Sequence, residues 1–264
     1  MAENRFQTLL YEIEKRVARV VFNRPEIHNA FNDIMINELI TVFDDIEENR
    51  DLRVVILTGR GKSFCAGADL NWMKRVKDFS YDENLQGSLA LSEMLYKIYT
   101  CSKPTIARVN GTAIGGGTGL VAVCDIAIGA ENAKFSFSEV KLGLIPACIS
   151  PYVIKKCGEG RCREFFLTGE RLTAQKALNA GLLNMVVPLE KLDEAVDHLV
   201  DQLLSSGPEA IKRCKELIRN VPGMDWEEVK RYTAEVIARM RVSEEGQEGM
   251  NAFLEKRKPK WTSV

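Results

Sequence analysis

Histidine is scarce in this 264-residue chain: there are two, His28 and His198, far apart and without metal-ligand spacing. That scarcity excludes a histidine-based zinc centre and leaves no partner for a cysteine nucleophile. The seven cysteines are odd in number, none forms a CxxC pair, and several lie in apolar runs, so they read as reduced core thiols. Charge of either sign is not in excess, the formal net charge being −1, which gives no chain-wide attraction to nucleic acid or to an anionic membrane. No apolar run approaches the roughly 18 residues of a membrane span, and the opening MAENRFQ is polar and lacks the core of a signal peptide. The expectation is a soluble, cytoplasmic protein with neither nucleic-acid nor membrane partners. No convincing internal sequence period is present.

The chain does have a hydrophobic share of 45%, enough to bury a sizeable core. Alternation over Leu9, Tyr11 and Ile13, and again from Val17 to Phe22, predicts a strand pair around the charged turn Glu14-Lys15-Arg16. Apolar residues at Met35, Leu39, Val42, Phe43 and Ile46 predict an amphipathic helix over Asn32 to Asn49, capped by Asn32 or Asp33. Short apolar strands at Val54 to Leu57 and Thr105 to Val109 each run into a small-residue loop and a helix, which indicates an α/β fold of repeated strand–strand–helix turns. The polar stretch Lys77 to Gly87, ahead of a helix expected over Leu89 to Cys101, reads as a mobile lid. Beyond Val187-Pro188 only charged, helically periodic segments remain, so an α/β core over 1–190 and a helical part over 191–264 are predicted.

The chemistry concentrates between Asn110 and Gly143. Gly115, Gly116 and Gly117 stand where the second strand meets a helix expected over Gly116 to Cys124, so backbone N–H groups can approach a bound group with no Cβ in the way. The helix aims its unpaired N–H groups and its dipole at the same place. One carboxylate, Glu139, follows shortly after. An acid beside an anion hole is a minimal proton-transfer site.

Three elements, Ala66-Gly67-Ala68-Asp69, the NGTAIGGG run from Asn110 to Gly117, and Glu139 ahead of Leu142-Gly143-Leu144-Ile145-Pro146, resemble in order and spacing the hallmarks of the crotonase, or enoyl-CoA hydratase/isomerase, superfamily. The resemblance implies that family's spiral fold and a coenzyme A thioester as substrate, with no metal, nucleotide or redox cofactor beyond that CoA. It maps two carbonyl-polarising N–H groups onto Ala68 and Gly116 and the catalytic acid onto Glu139. For the CoA handle it points to backbone groups of Ala66 and Ala68, to the Arg24–Ala30 segment including His28, and to Arg24 or Lys62 for phosphates. Gly67, Asp69, Leu70, Gly115 and Gly119 complete the segments expected to line the bound thioester. Near the C-terminus, Phe253 and Lys256 match residues that reach a neighbouring subunit's CoA, and a homotrimer or dimer of trimers is expected.

Two departures bear on the reaction. Gly119 stands where many hydratases of the family carry a second glutamate, and Ala147-Cys148-Ile149-Ser150-Pro151-Tyr152-Val153 replaces their glycine-rich segment. The second feature resembles bacterial methylglutaconyl-CoA hydratases and their isoprenoid-glutaconyl relatives. Ser138, Ser150 and Tyr152 are then candidates to hold a water, and Lys141, Lys155, Lys156 and Arg161 to meet a distal carboxylate. Trp72, Met73 and Phe79 are candidates for the acyl pocket. The readings left open are a hydratase acting through Glu139, a double-bond isomerase using the same acid as a proton shuttle, and a non-catalytic CoA-binding homologue.

Overall fold

The computed structural model describes residues 5–262. Ten strands fall into two sheets. The larger takes β1 (Leu9–Glu14), β2 (Val17–Phe22), β3 (Val54–Gly59), β5 (Thr105–Val109), β7 (Ile126–Ala130) and β10 (Met185–Val187) in that spatial order, and the smaller takes β4 (Ser63–Cys65), β6 (Thr112–Ile114), β8 (Lys134–Ser136) and β9 (Arg171–Thr173). Only the end pairs β1/β2 and β8/β9 are antiparallel. Each successive turn of chain, β3–β4, β5–β6 and β7–β8, gives one strand to each sheet and then a helix, which is the predicted spiral.

The large sheet is buried on both faces, as parallel sheets are. Along β3 the residues alternate: Val55 and Leu57 face the main core, while Val54 and Ile56 join Leu192, Val196 and Val200 of α7 (Leu192–Ser205) in a second cluster. Thus α7 covers one side of the sheet. On the other side α1 (Asp33–Glu48) buries Met35, Ile36, Leu39, Val42, Phe43 and Ile46, and its cap is Asn32, whose side chain accepts the Met35 N–H at 3.0 Å. The helices α8 (Pro208–Asn220), α9 (Trp226–Val242) and α10 (Glu244–Leu254) pack on one another at the C-terminal end. None of the described helices is long and apolar enough to cross a membrane.

Residues 125–137 turn at 131–133 and supply β7 and β8 to different sheets. One expectation needs correction. The polar stretch expected to be a mobile lid is largely helical. After α2 (Leu70–Val76), α3 runs from Tyr81 to Thr100, started by a capping box in which Ser80 and Glu83 satisfy each other's backbone N–H groups. Weak apolar periodicity in its first two turns hid that start. All seven cysteines are free thiols, and burial pushes those of Cys65, Cys101, Cys124 and Cys157 up to about 12, so these four are inert.

The loop between β2 and α1 is held by Asn29, which is fully buried in the left-handed region at φ 58°. Its Oδ1 accepts the Arg24 N–H at 2.9 Å, and its Nδ2 donates to the carbonyls of Arg60 and Ser63 at 2.9 and 2.8 Å. One amide therefore ties this loop to the β3–β4 turn. Asn29→Ala removes the side-chain partner of three backbone groups, of which the Ser63 carbonyl bond is buried, and is expected to lower stability by about 2 kcal/mol in urea unfolding; a loss under about 0.5 kcal/mol would mean that the loop holds its place without this amide.

Candidate active site

The site forms where the β4–α2 loop meets the N-terminus of α4 (Gly116–Val123). Glycine makes the meeting possible. A β-carbon on Gly117 would lie 2.1 Å from the carbonyl oxygen of Cys65, and one on Gly67, at φ 88°, would lie 2.8 Å from that of Ile114. The start of α4 is fixed from behind: the Gly115 N–H donates to the Ser136 carbonyl at 2.8 Å, and the Thr118 hydroxyl reaches the carbonyls of Ala113 and Ser136.

The other wall is set by a short parallel bridge between Phe31 and Ala68, in which the Phe31 N–H donates to the Gly67 carbonyl and the Asp69 N–H to the Phe31 carbonyl. This pattern turns the N–H of Ala68 itself away from Phe31. Arg24 clamps the same loop, donating to the Asp69 carboxylate at 2.6 Å and to the Ala30 carbonyl at 2.7 Å. Burial pushes the Asp69 carboxyl up, but Arg24 and the amides of Asn71 and Trp72 outweigh it and hold it below its usual range. Among the described residues, neither the Ala68 nor the Gly116 N–H has a backbone acceptor. Gly116, as the first residue of α4, has none available within its helix.

Glu139 lies on the 3-10 turn Ser138–Leu142. Its Oε1 would be 3.0 Å from a β-carbon on Gly115, so the carboxyl rests directly against the glycine that precedes the free Gly116 N–H. Oε2 is enclosed and has no hydrogen-bond partner. Burial raises the Glu139 pKa, opposed only by a bond from its own backbone N–H. A half-buried carboxyl with an unpartnered oxygen, next to the start of α4, is a place for a proton in transit.

The two sequence departures prove to be one packing unit. A β-carbon on Gly119 would lie 2.1 Å from Cγ2 of Ile149, a residue 2% exposed. The space that a side chain at 119 would enter is therefore filled by Ile149, and no acid can stand there. Gly119 is itself buried beneath that side chain. Neither Ile149 nor Phe31, whose ring comes within 2.5 Å of a β-carbon on Gly116, carries a local sequence signal of its role.

Other expected residues are placed as follows. The Ala30 carbonyl is taken by Arg24, and the Ala66 N–H donates to the His28 carbonyl at 3.0 Å, while the Ala66 carbonyl has no backbone donor among the described residues. His28 is exposed, with Nδ1 3.0 Å from the Ser63 hydroxyl. Lys62 and Leu70 are exposed beside the same loop. Phe253 and Lys256 are exposed at the end of α10, on a different part of the chain from the two loops. Ser150 donates to the Ala147 carbonyl of its own turn, and the Tyr152 ring packs on that of Tyr99 with centroids 5.1 Å apart. Lys155 lies over the Tyr99 ring, Lys156 approaches the Val121 carbonyl and Arg161 pairs with Glu164, whereas Lys141 makes no ion pair among the described residues.

A family model described as enoyl-CoA hydratase/isomerase matches residues 12–264. The chain is 41% identical to the solved enoyl-CoA hydratase from Shewanella pealeana, with a TM-score of 0.94 and 97% of each chain covered. It is 34% identical to the hydroxycinnamoyl-CoA hydratase-lyase of Pseudomonas fluorescens, over 96% of this chain and 94% of that one. It is 32% identical to the short-chain-enoyl-CoA hydratase of Clostridium acetobutylicum, over 95% of both.

Two outcomes test this geometry. Gly119→Ala is expected to cost about 2 kcal/mol through overpacking. In the Gly119→Ala/Ile149→Ala double variant much of that cost should disappear, and strict additivity in the cycle would separate the two positions. The second concerns pH. With the Glu139 pKa raised on folding, its contribution is most favourable below the unfolded carboxyl value and is lost as pH rises through the folded one. Glu139→Gln should therefore gain stability relative to the parent as pH rises from 4 to 7; a difference that stays flat or falls would show that the carboxyl is not desolvated.

Proposed function

The chain belongs to the enoyl-CoA hydratase/isomerase family, and from that membership we propose that it adds water reversibly across the α,β double bond of an enoyl-CoA thioester. The observation that carries this reading is the enclosed, unpartnered Oε2 of Glu139 next to the Gly115–Gly116 backbone. In the addition, ionised Glu139 takes a proton from water as its oxygen bonds to Cβ. The electron pair of the double bond moves to the thioester oxygen as an enolate, held by the N–H groups of Ala68 and Gly116. Glu139, now protonated, returns that proton to Cα. One acid serves both transfers, because Ile149 occupies the place of a second. Each fixed donor is worth about 10² to 10³ in rate, since the charge on the oxygen grows only in the transition state.

For the CoA handle, the exposed Lys62 and His28 flank the Ala66–Leu70 loop and suit the phosphates and adenine, while Arg24 acts mainly by shaping that loop. The resemblance of the Ala147–Val153 segment points to a branched or methylglutaconyl-type acyl group, and Lys141, two residues from Glu139, is the candidate cation for its distal carboxylate. Exposed Trp226, Val242, Phe253 and Leu254 on α9 and α10 are apolar surface that assembly as a trimer or dimer of trimers would cover. Phe253 and Lys256 would then be brought to a neighbour's CoA.

The test offers crotonyl-CoA, 3-methylglutaconyl-CoA and a 3-enoyl-CoA separately to the parent and to Glu139→Gln in ¹⁸O-water. Loss of enoyl conjugation with solvent oxygen in the product, reduced about 10³-fold or more in the variant, is expected for an essential acid–base group. Migration of the double bond of a 3-enoyl-CoA without oxygen incorporation would replace the hydratase by the isomerase.

A further inference from the structure

A cavity of about 360 Å³ opens where the residues ahead of β3 and β5 meet the start of α8. The chain reaches Ala68 and Gly116 from the far ends of the same two strands, so this cavity stands apart from the donor site. Four cations line it: Arg50, Arg53, Lys103 and Lys212. The two carboxylates in the lining are already engaged, Glu47 by the Ser102 N–H at 2.9 Å and Glu209 by Arg213 at 2.7 Å. The side chains of Arg50 and Lys212 make no hydrogen bond or ion pair among the described residues.

Arg53 is the unusual member. It is 7% exposed, and its side chain has one hydrogen bond among the described residues, to the Ser206 carbonyl. Burial and the neighbouring Arg16 both work against its charge, and Glu245 does not make up the difference. A buried guanidinium is ordinarily paired with a carboxylate, because an uncompensated charge there is costly. Arg53 has no such ion pair among the described residues. The walls around it are firm. Lys103 donates to the Glu47 carbonyl at 2.8 Å, and Lys215 to the Lys103 carbonyl at 2.9 Å. Glu245 accepts the N–H groups of Glu209 and Ala210, so the start of α8 is already capped and the attraction for an anion comes from the side chains.

We infer that this cavity binds a small organic phosphate monoester, with Arg50, Arg53 and Lys212 around the phosphate and the organic part against an apolar wall. Leu52, Pro104, Pro208 and Ile211 supply that wall. A phosphate monoester carries a charge of about −1.5 to −2 at pH 7, which suits two unengaged cations and a buried arginine better than a single carboxylate would. Arginine's planar fork meets phosphate oxygens two at a time and is more weakly hydrated than an ammonium. Size favours an organic ester over the bare ion, since the cavity falls within the roughly 300–1,000 Å³ of small-molecule sites. No residue assigned to the acyl thioester or its CoA lines this cavity, so the inference stands independently of the donor site.

Calorimetry with AMP, inorganic phosphate and adenosine tests the assignment. AMP should bind the parent with a Kd below about 1 mM, more weakly as salt is raised. Inorganic phosphate and adenosine should each bind at least about tenfold more weakly, since each lacks one half of the contacts. Arg50→Ala and Lys212→Ala remove cations that no other side chain engages, so each should weaken AMP binding about fivefold or more with Tm unchanged. Arg53→Met should abolish AMP binding with an unchanged or higher Tm, and the two other variants carry the test if it does not fold. AMP binding should be the same in Lys62→Ala as in the parent. A parent that binds no AMP, or AMP binding that survives both Arg50→Ala and Lys212→Ala, would overturn the inference. So would inorganic phosphate or adenosine binding as tightly as AMP. Loss of AMP binding in Lys62→Ala would place the nucleotide at the Ala66–Leu70 loop instead and overturn it as well.

Discussion

Everything at this site depends on two stretches of backbone coming closer than side chains would permit. The carbonyl of Cys65 sits where the β-carbon of any residue but glycine at 117 would be, and the Ile114 carbonyl lies against Gly67 in the same way. That contact sets the Ala68 loop against the start of α4. Arg24, Asn29 and the Phe31–Ala68 bridge then hold the loop from the side. These supports are hydrogen bonds of buried or half-buried groups, so they fix direction as well as distance.

Rigidity matters because the chemistry asks the protein to hold unsatisfied groups. Two N–H donors without backbone acceptors and a carboxyl oxygen with no partner all work against folding. In the resting protein burial raises the Glu139 pKa, and a bond from its own backbone N–H opposes this without cancelling it. The same exclusion of water strengthens the interaction of fixed donors with a developing enolate. Stability and chemistry pull in opposite directions here, and the two hydrophobic clusters on the faces of the large sheet supply the margin that lets the site persist.

The absence of a second acid is equally physical. Gly119 and Ile149 are 30 positions apart, yet each makes sense only with the other: a glycine beneath a buried branched side chain. Read separately, the glycine favoured an isomerase and the following segment a hydratase. As one packing unit they show that the space over position 119 is filled by Ile149, and the single-carboxylate reaction proposed above rests on that.

Much of this was legible in the chain. The GGG run, the Ala66–Asp69 loop and Glu139 are local patterns, and local patterns report where backbone must turn or approach closely. The apolar periodicity placed α1, and the glycine run α4, almost to the residue. The start of α3 was missed because a capping box, not apolar spacing, begins it. What tertiary structure alone decided is which distant residues share space: Ile149 over Gly119, Phe31 under Gly116, Arg24 on Asp69, and Arg53 with Lys212 at one cavity. Sequence determines what each residue can do; contacts between distant residues arise from how the spiral stacks its turns, and no local pattern encodes that stacking.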